Sequence, residues 1–194
     1  IGPGTGLGIA TLANLDFKFR ALPGEGGHAD FPVIFGTPDT TREALIAQSF
    51  AGEYGRHPTY EDFCSGNGLV KAFISIAKLD GCMVTEIKPE DITDLALKED
   101  KYALEAFRIF NKTFARAAKN NALTDWTLGG IFITGGIIPQ IGKLFDKDLI
   151  INEFTNQAAY RKTFEQIPVA QYDNANLSGL YGAANYARRE IGFE

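Results

Sequence analysis

Between residues 100 and 120 an apolar side chain recurs every three or four positions: Leu104, Phe107, Phe110, Phe114 and Ala118. That is the period of an α-helix carrying one apolar stripe, and it predicts a helix from Asp100 to Asn120. A stripe of this kind serves a core or a subunit contact. It leaves Tyr102 and Ile109 on other faces and carries no chemistry.

The elements around it follow from shorter signals. Residues 7–13 (LGIATLA) and 15–22 (LDFKFRAL) read as paired strands, with NLD as the turn between them. In the second, Phe17 and Phe19 alternate with Lys18 and Arg20, the period of a half-covered sheet. The segment TPDTTREALIAQSFAGEYG opens with capping residues and runs as a helix to Gly55. A short helix from Thr59, a break at Ser65 to Gly68 and a second helix to about Leu79 come next. KPEDITDLALKED is a surface helix with Pro89 in its first turn. Gly129 to Gly136 reads as a short, fully buried central strand between glycine pairs. IIPQIGKLFD continues as a short helix, NQAAYRKTFEQIP as another, VAQYD as a last strand and NLSGLYGAANYARREIG as a closing helix. Strands, then many helices, then strand, helix, strand, helix predicts mixed α/β architecture with a large helical insertion.

Composition narrows the function classes. A chain of 194 residues suits one domain or one large lobe of a bigger protein. Its net charge of -5 gives no electrostatic case for nucleic acid or for an acidic membrane surface. No apolar run approaches the ~20 residues that span a bilayer. Cys64 and Cys82 form neither a metal-ligand spacing nor a disulfide framework, which points to a reducing cytoplasm. The opening IGPGTGLGIATL has no methionine, signal peptide or capping sequence, and the chain reads as a fragment.

Four stretches carry candidate chemistry. GPGTGLG fits neither the dinucleotide fingerprint nor the P-loop. It is a turn with Thr5 at its centre that enters a hairpin, either an anion cradle of backbone N–H groups or an ordinary glycine-rich turn. LPGEGGHADF sets Glu25 and His28 three residues apart on a glycine backbone. Such a turn grips a polyhydroxylated ligand or makes a tight connection. YEDFCSGNGL holds Glu61 before another glycine turn, as a ligand group or as a solvated side chain. ITGGIIP places a Gly-Gly pair at a strand end, where ligands of open α/β sheets bind or where a helix packs closely on the sheet.

Together GPGTGLG, LPGEGGHADF, EDFCSGNGL, IFITGGIIP and NLSGLYGAA resemble, in order and spacing, the larger domain of the bacterial glucokinase family. The match covers essentially the whole chain. GEGGH followed by Asp-Phe, with SG-x-GL downstream, is specific to that family. The Cys-x-Cys-Gly-x-x-Gly-Cys zinc segment of the related repressor/open-reading-frame/kinase family is absent.

The resemblance implies an actin-like ATPase (ribonuclease H-like) α/β lobe with a mixed sheet and a large helical insertion. Residues 1–194 would be the C-terminal large domain, without the N-terminal small domain. It implies ATP-dependent phosphorylation of glucose to glucose 6-phosphate, the first step of glycolysis, with ATP and Mg2+, in the cytoplasm, by a homodimer. In the family, the residues matching Glu25, His28 and Glu61 hydrogen-bond glucose hydroxyls. Gly4, Thr5 and Gly6 match the segment facing the β- and γ-phosphates, and Thr134, Gly135 and Gly136 the segment flanking the adenosine. The family's general-base Asp and its first phosphate segment lie in the smaller domain, so no catalytic residue is assigned here. Asp16 and Asp30 are not in that context, although Asp30 is placed to orient His28. The isolated fragment is expected to be inactive. The rival readings are a kinase for another hexose, a sugar-binding regulatory domain without phosphoryl transfer, and a structural domain with unused glycine turns.

Overall fold

In the computed structural model, which describes residues 1–15, 18–84, 86–172 and 175–191, Ile1 links two small sheets. Gly2–Pro3 (β1), Leu7–Leu15 (β2) and Lys18–Gly24 (β3) form an antiparallel sheet in that order. Ile131–Ile133 (β4) and Val169–Gln171 (β5) pair in parallel. The nitrogen of Ile1 donates to Phe132 O at 3.0 Å and its oxygen accepts from Thr134 N at 2.9 Å, the pattern of a parallel ladder. The strand succession β3-β2-β1-β4-β5 is therefore mixed, and both glycine loops that follow β1 and β4 emerge beside one another.

Eight helices are described: Pro38–Tyr54 (α1), Gly66–Leu79 (α2), Pro89–Leu97 (α3), Lys101–Asp125 (α4), Ile138–Ile141 (α5), Lys147–Thr155 (α6), Arg161–Phe164 (α7) and Ala175–Glu190 (α8). The start of α1 is set by Thr37, whose hydroxyl accepts from Thr40 N, and its end by Gly55 at φ 68°, as a capping box and a left-handed glycine require. Pro89 opens α3 as expected.

The long helix is more deeply enclosed than its stripe suggested. It runs five residues past Asn120, to Asp125, and packs against α2, α3 and α6. Ile109, expected on another face, is 1% exposed, whereas Leu104, expected in the stripe, is 41% exposed. Ala103, Ala106, Ala115 and Ala117 are the reason: small side chains let neighbouring helices approach from sides that large apolar residues do not mark. Two cations are buried on α4 as well. Arg116 pairs with Glu43 of α1 and Glu153 of α6, while Lys112 pairs with Asp39 and Glu43.

Other expectations need correcting. Residues 59–64 form hydrogen-bonded turns rather than a short helix, with Thr59 in an isolated bridge to Asp30. Ser65 to Gly68 is not a break: Ser65 Oγ accepts from Gly68 N and caps α2, so the glycines are its first turn. A Cβ on Gly68 would come 2.5 Å from Glu61 O, which is why a glycine stands there. The β4 strand is covered on one face only, since Phe132 is 60% exposed. The helix expected over NQAAYRKTFEQIP shrinks to Arg161–Phe164. The unanticipated α6 is capped by Asp146, which accepts from Leu149 N, and buries Ile150 and Phe154. Asp16, Phe17, Asp173 and Gly192, which belonged to the expected turn, strands and closing helix, lie outside the described residues.

Candidate functional site

The GPGTGLG stretch is a hairpin, as expected: Pro3 pairs with Leu7 and Gly2 with Gly8, leaving Gly4, Thr5 and Gly6 as the turn. Gly4 N donates to Gly6 O at 2.7 Å, and Gly4 O accepts from Gly66 N, the first residue of α2, at 2.9 Å. Thr5 is exposed at the tip. The turn is thus held from outside by a helix N-terminus, where backbone amides favour an anion.

The LPGEGGHADF stretch closes β3 and folds into a 3-10 turn over Gly26–His28. Gly27 is buried at its centre, and a Cβ there would fall on the Leu7 carbonyl. That close approach explains the glycine. The Glu25 and His28 side chains are 89% and 59% exposed, with Glu25 Oε2 3.9 Å from His28 Nε2. Among the described residues the carboxylate paired with His28 is therefore that of Glu25. Asp30, expected to orient His28, has its backbone in an isolated bridge with Thr59.

Glu61 lies between these two turns. Its backbone N donates to Gly27 O at 2.8 Å, and its Oε2 accepts from Leu7 N at 2.9 Å. A Cβ on Gly6 would come 3.0 Å from Glu61 Cδ and closer still to Oε2. Glycine at position 6 is what lets the carboxylate lie against the hairpin. The next residue fixes this loop from below. Asp62 is 3% exposed and accepts from Arg56 Nη1 at 2.6 Å, Arg56 Nη2 at 2.7 Å, Lys71 Nζ at 2.7 Å and Thr59 N at 2.9 Å. Burial would raise its pKa, but these donors outweigh it and hold the carboxyl well below the usual carboxylate range. No motif in the sequence marked Asp62. Its only signal was an acid one residue from a candidate ligand with basic residues at positions 56 and 71.

The loop after β4 joins the same surface. Gly135 sits at φ 98°, and a Cβ on it would fall on Pro3 O and lie 2.9 Å from Pro3 N. Thr134 Oγ1 would be 2.5 Å from a Cβ on Gly2. The Thr134–Gly136 loop is therefore packed closely on Gly2 and Pro3, the strand that leads into the Gly4–Gly6 turn. Gly136 O accepts from Nε2 of Gln140 in α5 at 3.0 Å. Beside this loop a cavity of about 210 Å3 opens between α2, α3, α4 and α5, with apolar walls from Leu69, Phe110, Ile137 and Ile141 and acidic Glu90 and Asp94 at its side. The sequence assigned α3 only to the surface, whereas one of its faces also walls this cavity. Among the described residues no group of three His, Cys, Asp or Glu is gathered to hold a metal. No helix among them is long and apolar enough to cross a membrane.

The geometry thus brings together all four candidate stretches, and comparison with known proteins gives them a family. The glucokinase family model matches residues 1–190. The chain belongs to the glucokinase family. It is 35% identical over 192 residues to the glucokinase of Cronobacter sakazakii (strain ATCC BAA-894). To the glucokinase of Shigella dysenteriae serotype 1 (strain Sd197) it is 36% identical over 194 residues. Each alignment takes in 98% of this chain and 58% of the relative's length, so the chain spans under two thirds of the curated glucokinases it matches. A crystal structure of glucokinase from an Antarctic psychrotroph superposes with a TM-score of 0.78 at 26% identity, covering 91% of this chain and 53% of that one.

Proposed function

We propose that the chain is the sugar- and nucleotide-binding lobe of an ATP-dependent glucokinase, built on an actin-like ATPase fold. The observation that carries this function is the position of Glu61, hydrogen-bonded to the hairpin of the Gly4–Gly6 turn and to the turn of Glu25 and His28. Glucose hydroxyls donate to the Glu25 and Glu61 carboxylates, and the His28 imidazole donates to or accepts from another hydroxyl. A sugar lacking one of these hydroxyls leaves a carboxylate unpaired, which supplies selectivity among hexoses. The turn of Gly4, Thr5 and Gly6 takes the β- and γ-phosphates of ATP. Thr134, Gly135 and Gly136 lie along the adenosine, with the adenine base directed at the cavity between Ile137 and Leu69. The γ-phosphoryl passes in line to the primary hydroxyl of the sugar.

Mg2+ accompanies ATP in such transfers, but these residues do not build a cage for it. The carboxylate beside the phosphate turn is Glu61, whose Oε2 is already committed to Leu7 N. The ion would be held by nucleotide phosphates and water, as Mg2+ often is. A cytoplasmic homodimer completes the proposal, with its contact elsewhere than Ile109, which is inside the core. Sedimentation of the full-length protein at micromolar concentration should show a dimer; a monomer contradicts that part.

The central test is kinetic. In the full-length protein Glu25→Gln should lower kcat/KM for glucose by roughly 10- to 150-fold, the loss of one hydrogen bond to a charged group. Glu53→Gln, which removes a surface partner of Lys78, should change it little. Equal effects from the two variants, or a higher kcat/KM for another hexose, would reject glucose as the substrate read by this turn.

A further inference from the structure

Glu61 touches both half-sites through different atoms. Its side chain is bonded to the hairpin amide of Leu7 and lies against Gly6, while its backbone N is bonded to Gly27 of the sugar turn. Its backbone oxygen accepts from Ser65 Oγ at 2.9 Å, and Ser65 caps the helix whose first amide holds Gly4 O. Two separate paths therefore lead from this one residue to the Gly4–Gly6 turn. Glu25 and His28 pair with each other and, among the described contacts, reach no residue of that turn.

We infer that Glu61 couples sugar binding to nucleotide binding. This rests on the assignment of the two half-sites above. A hydroxyl that donates to Oε1 fixes the carboxylate with Oε2 on the Leu7 amide. The hairpin turn is then held in one conformation before the phosphates arrive. The first ligand meets the ordering cost of a shared, rotatable side chain, and the second binds a site already ordered. The coupling is positive, and by linkage it is reciprocal: each ligand tightens the other by the same factor. Without sugar the single bond from Leu7 N holds the turn only in part, so losing Glu61 weakens nucleotide binding even in the absence of glucose.

Calorimetric titration of the full-length protein with the non-hydrolysable ATP analogue AMPPNP, with and without saturating glucose, tests this. Wild type, Glu25→Gln, Glu61→Gln and Glu61→Asp are compared, and thermal melting verifies that each is folded. Glu61→Asp keeps the charge but is one methylene too short for Leu7 N. In the wild type, glucose should tighten AMPPNP by about fivefold or more. Glu25→Gln should retain that factor although its glucose affinity falls, and should bind AMPPNP alone as the wild type does. Glu61→Asp should bind AMPPNP alone more weakly, and glucose should then improve it by no more than about twofold; Glu61→Gln, whose amide oxygen can still accept from Leu7 N, should fall between it and the wild type. Wild-type AMPPNP affinity and coupling in the Glu61 variants would overturn the inference while leaving the glucokinase assignment intact. A wild-type protein that binds both ligands without coupling would overturn it too. A wild-type protein that binds no glucose would overturn the assignment itself, and the inference with it.

Discussion

Glu43 Oε2 accepts from Arg116 Nη1 at 2.6 Å, with both side chains 2% exposed. The pair joins α1 to α4, and Lys112 and Glu153 extend it to Asp39 and α6. Taking such charges out of water is costly, and geometry must offset the desolvation. Here every charge has an opposite partner within hydrogen-bond reach. Glu43→Gln should therefore destabilise the protein by about 1–3 kcal/mol, because Lys112 and Arg116 each lose one charged partner in the core while keeping Asp39 and Glu153. Urea denaturation of the variant reads this directly; a loss under about 1 kcal/mol would place the pair among ordinary surface bridges.

Acid should expose the two low carboxylates. The Arg108 hydrogen bond, opposed by burial and joined by Lys112, holds Asp39 down to about 2. For Asp62, burial is outweighed by Arg56, Lys71 and Thr59, and its pKa is also lowered. A depressed folded pKa means stability that is fully present above the unfolded value, near pH 4, and lost as pH falls through the folded value. Asp62→Asn should thus be less stable than wild type at pH 7, with the gap closing as pH falls from about 4 toward 2. Stability curves across that range test it, and a gap independent of pH contradicts it.

Glycines of two kinds should respond oppositely to alanine. Gly27→Ala places a Cβ on the Leu7 carbonyl, a backbone atom that cannot swing away. It should lower stability by roughly 2 kcal/mol or more through strain. Gly52→Ala, on the exposed face of α1 with nothing within 4 Å, should raise it by about 0.5–1 kcal/mol through helix propensity. Thermal melting ranks the two, and the reverse order would mean the Gly26–His28 turn is loosely held.

Gly135→Ala should act on the proposed nucleotide half. The position combines φ 98° with a Cβ lying on Pro3 O, so the variant must part the β4 loop from the hairpin. AMPPNP affinity should fall by about tenfold or more, whereas glucose affinity measured alone should fall less. Equal losses for both ligands would point to general unfolding.

What was legible in the sequence differs between fold and site. The helix periods and caps marked α1, α3 and α4 because caps and apolar spacing are local. The extra residues of α4 and the burial of Ile109 were hidden, since alanines carry little periodic signal yet permit close packing. The turns at 59–64 were misjudged as helix because their hydrogen bonds run to Ala29 and Gly27, far away in the chain. At the site, glycine motifs marked turns that the fold brings together. The family resemblance assigns Glu61 to the sugar alone, and nothing in a linear motif shows its bond to Leu7 fifty-four residues away. The ion clusters around Asp62 and Arg116 were equally silent, because their partners come from separate elements.

The hydrogen bond from Ile1 to Phe132 closes a loop of 131 residues, and its consequence lies in the order of folding. Each glycine turn can form by itself from neighbouring residues, but the surface they share exists only after the two chain ends of that loop have met. Closing a long loop is slow and is not rewarded until distant strands pair. A partly folded chain, helices included, would carry the motifs without the site. On the proposed function, nucleotide affinity should therefore be a late marker of folding, and a variant that slows the docking of β1 on β4 should delay it while helical signal recovers on time.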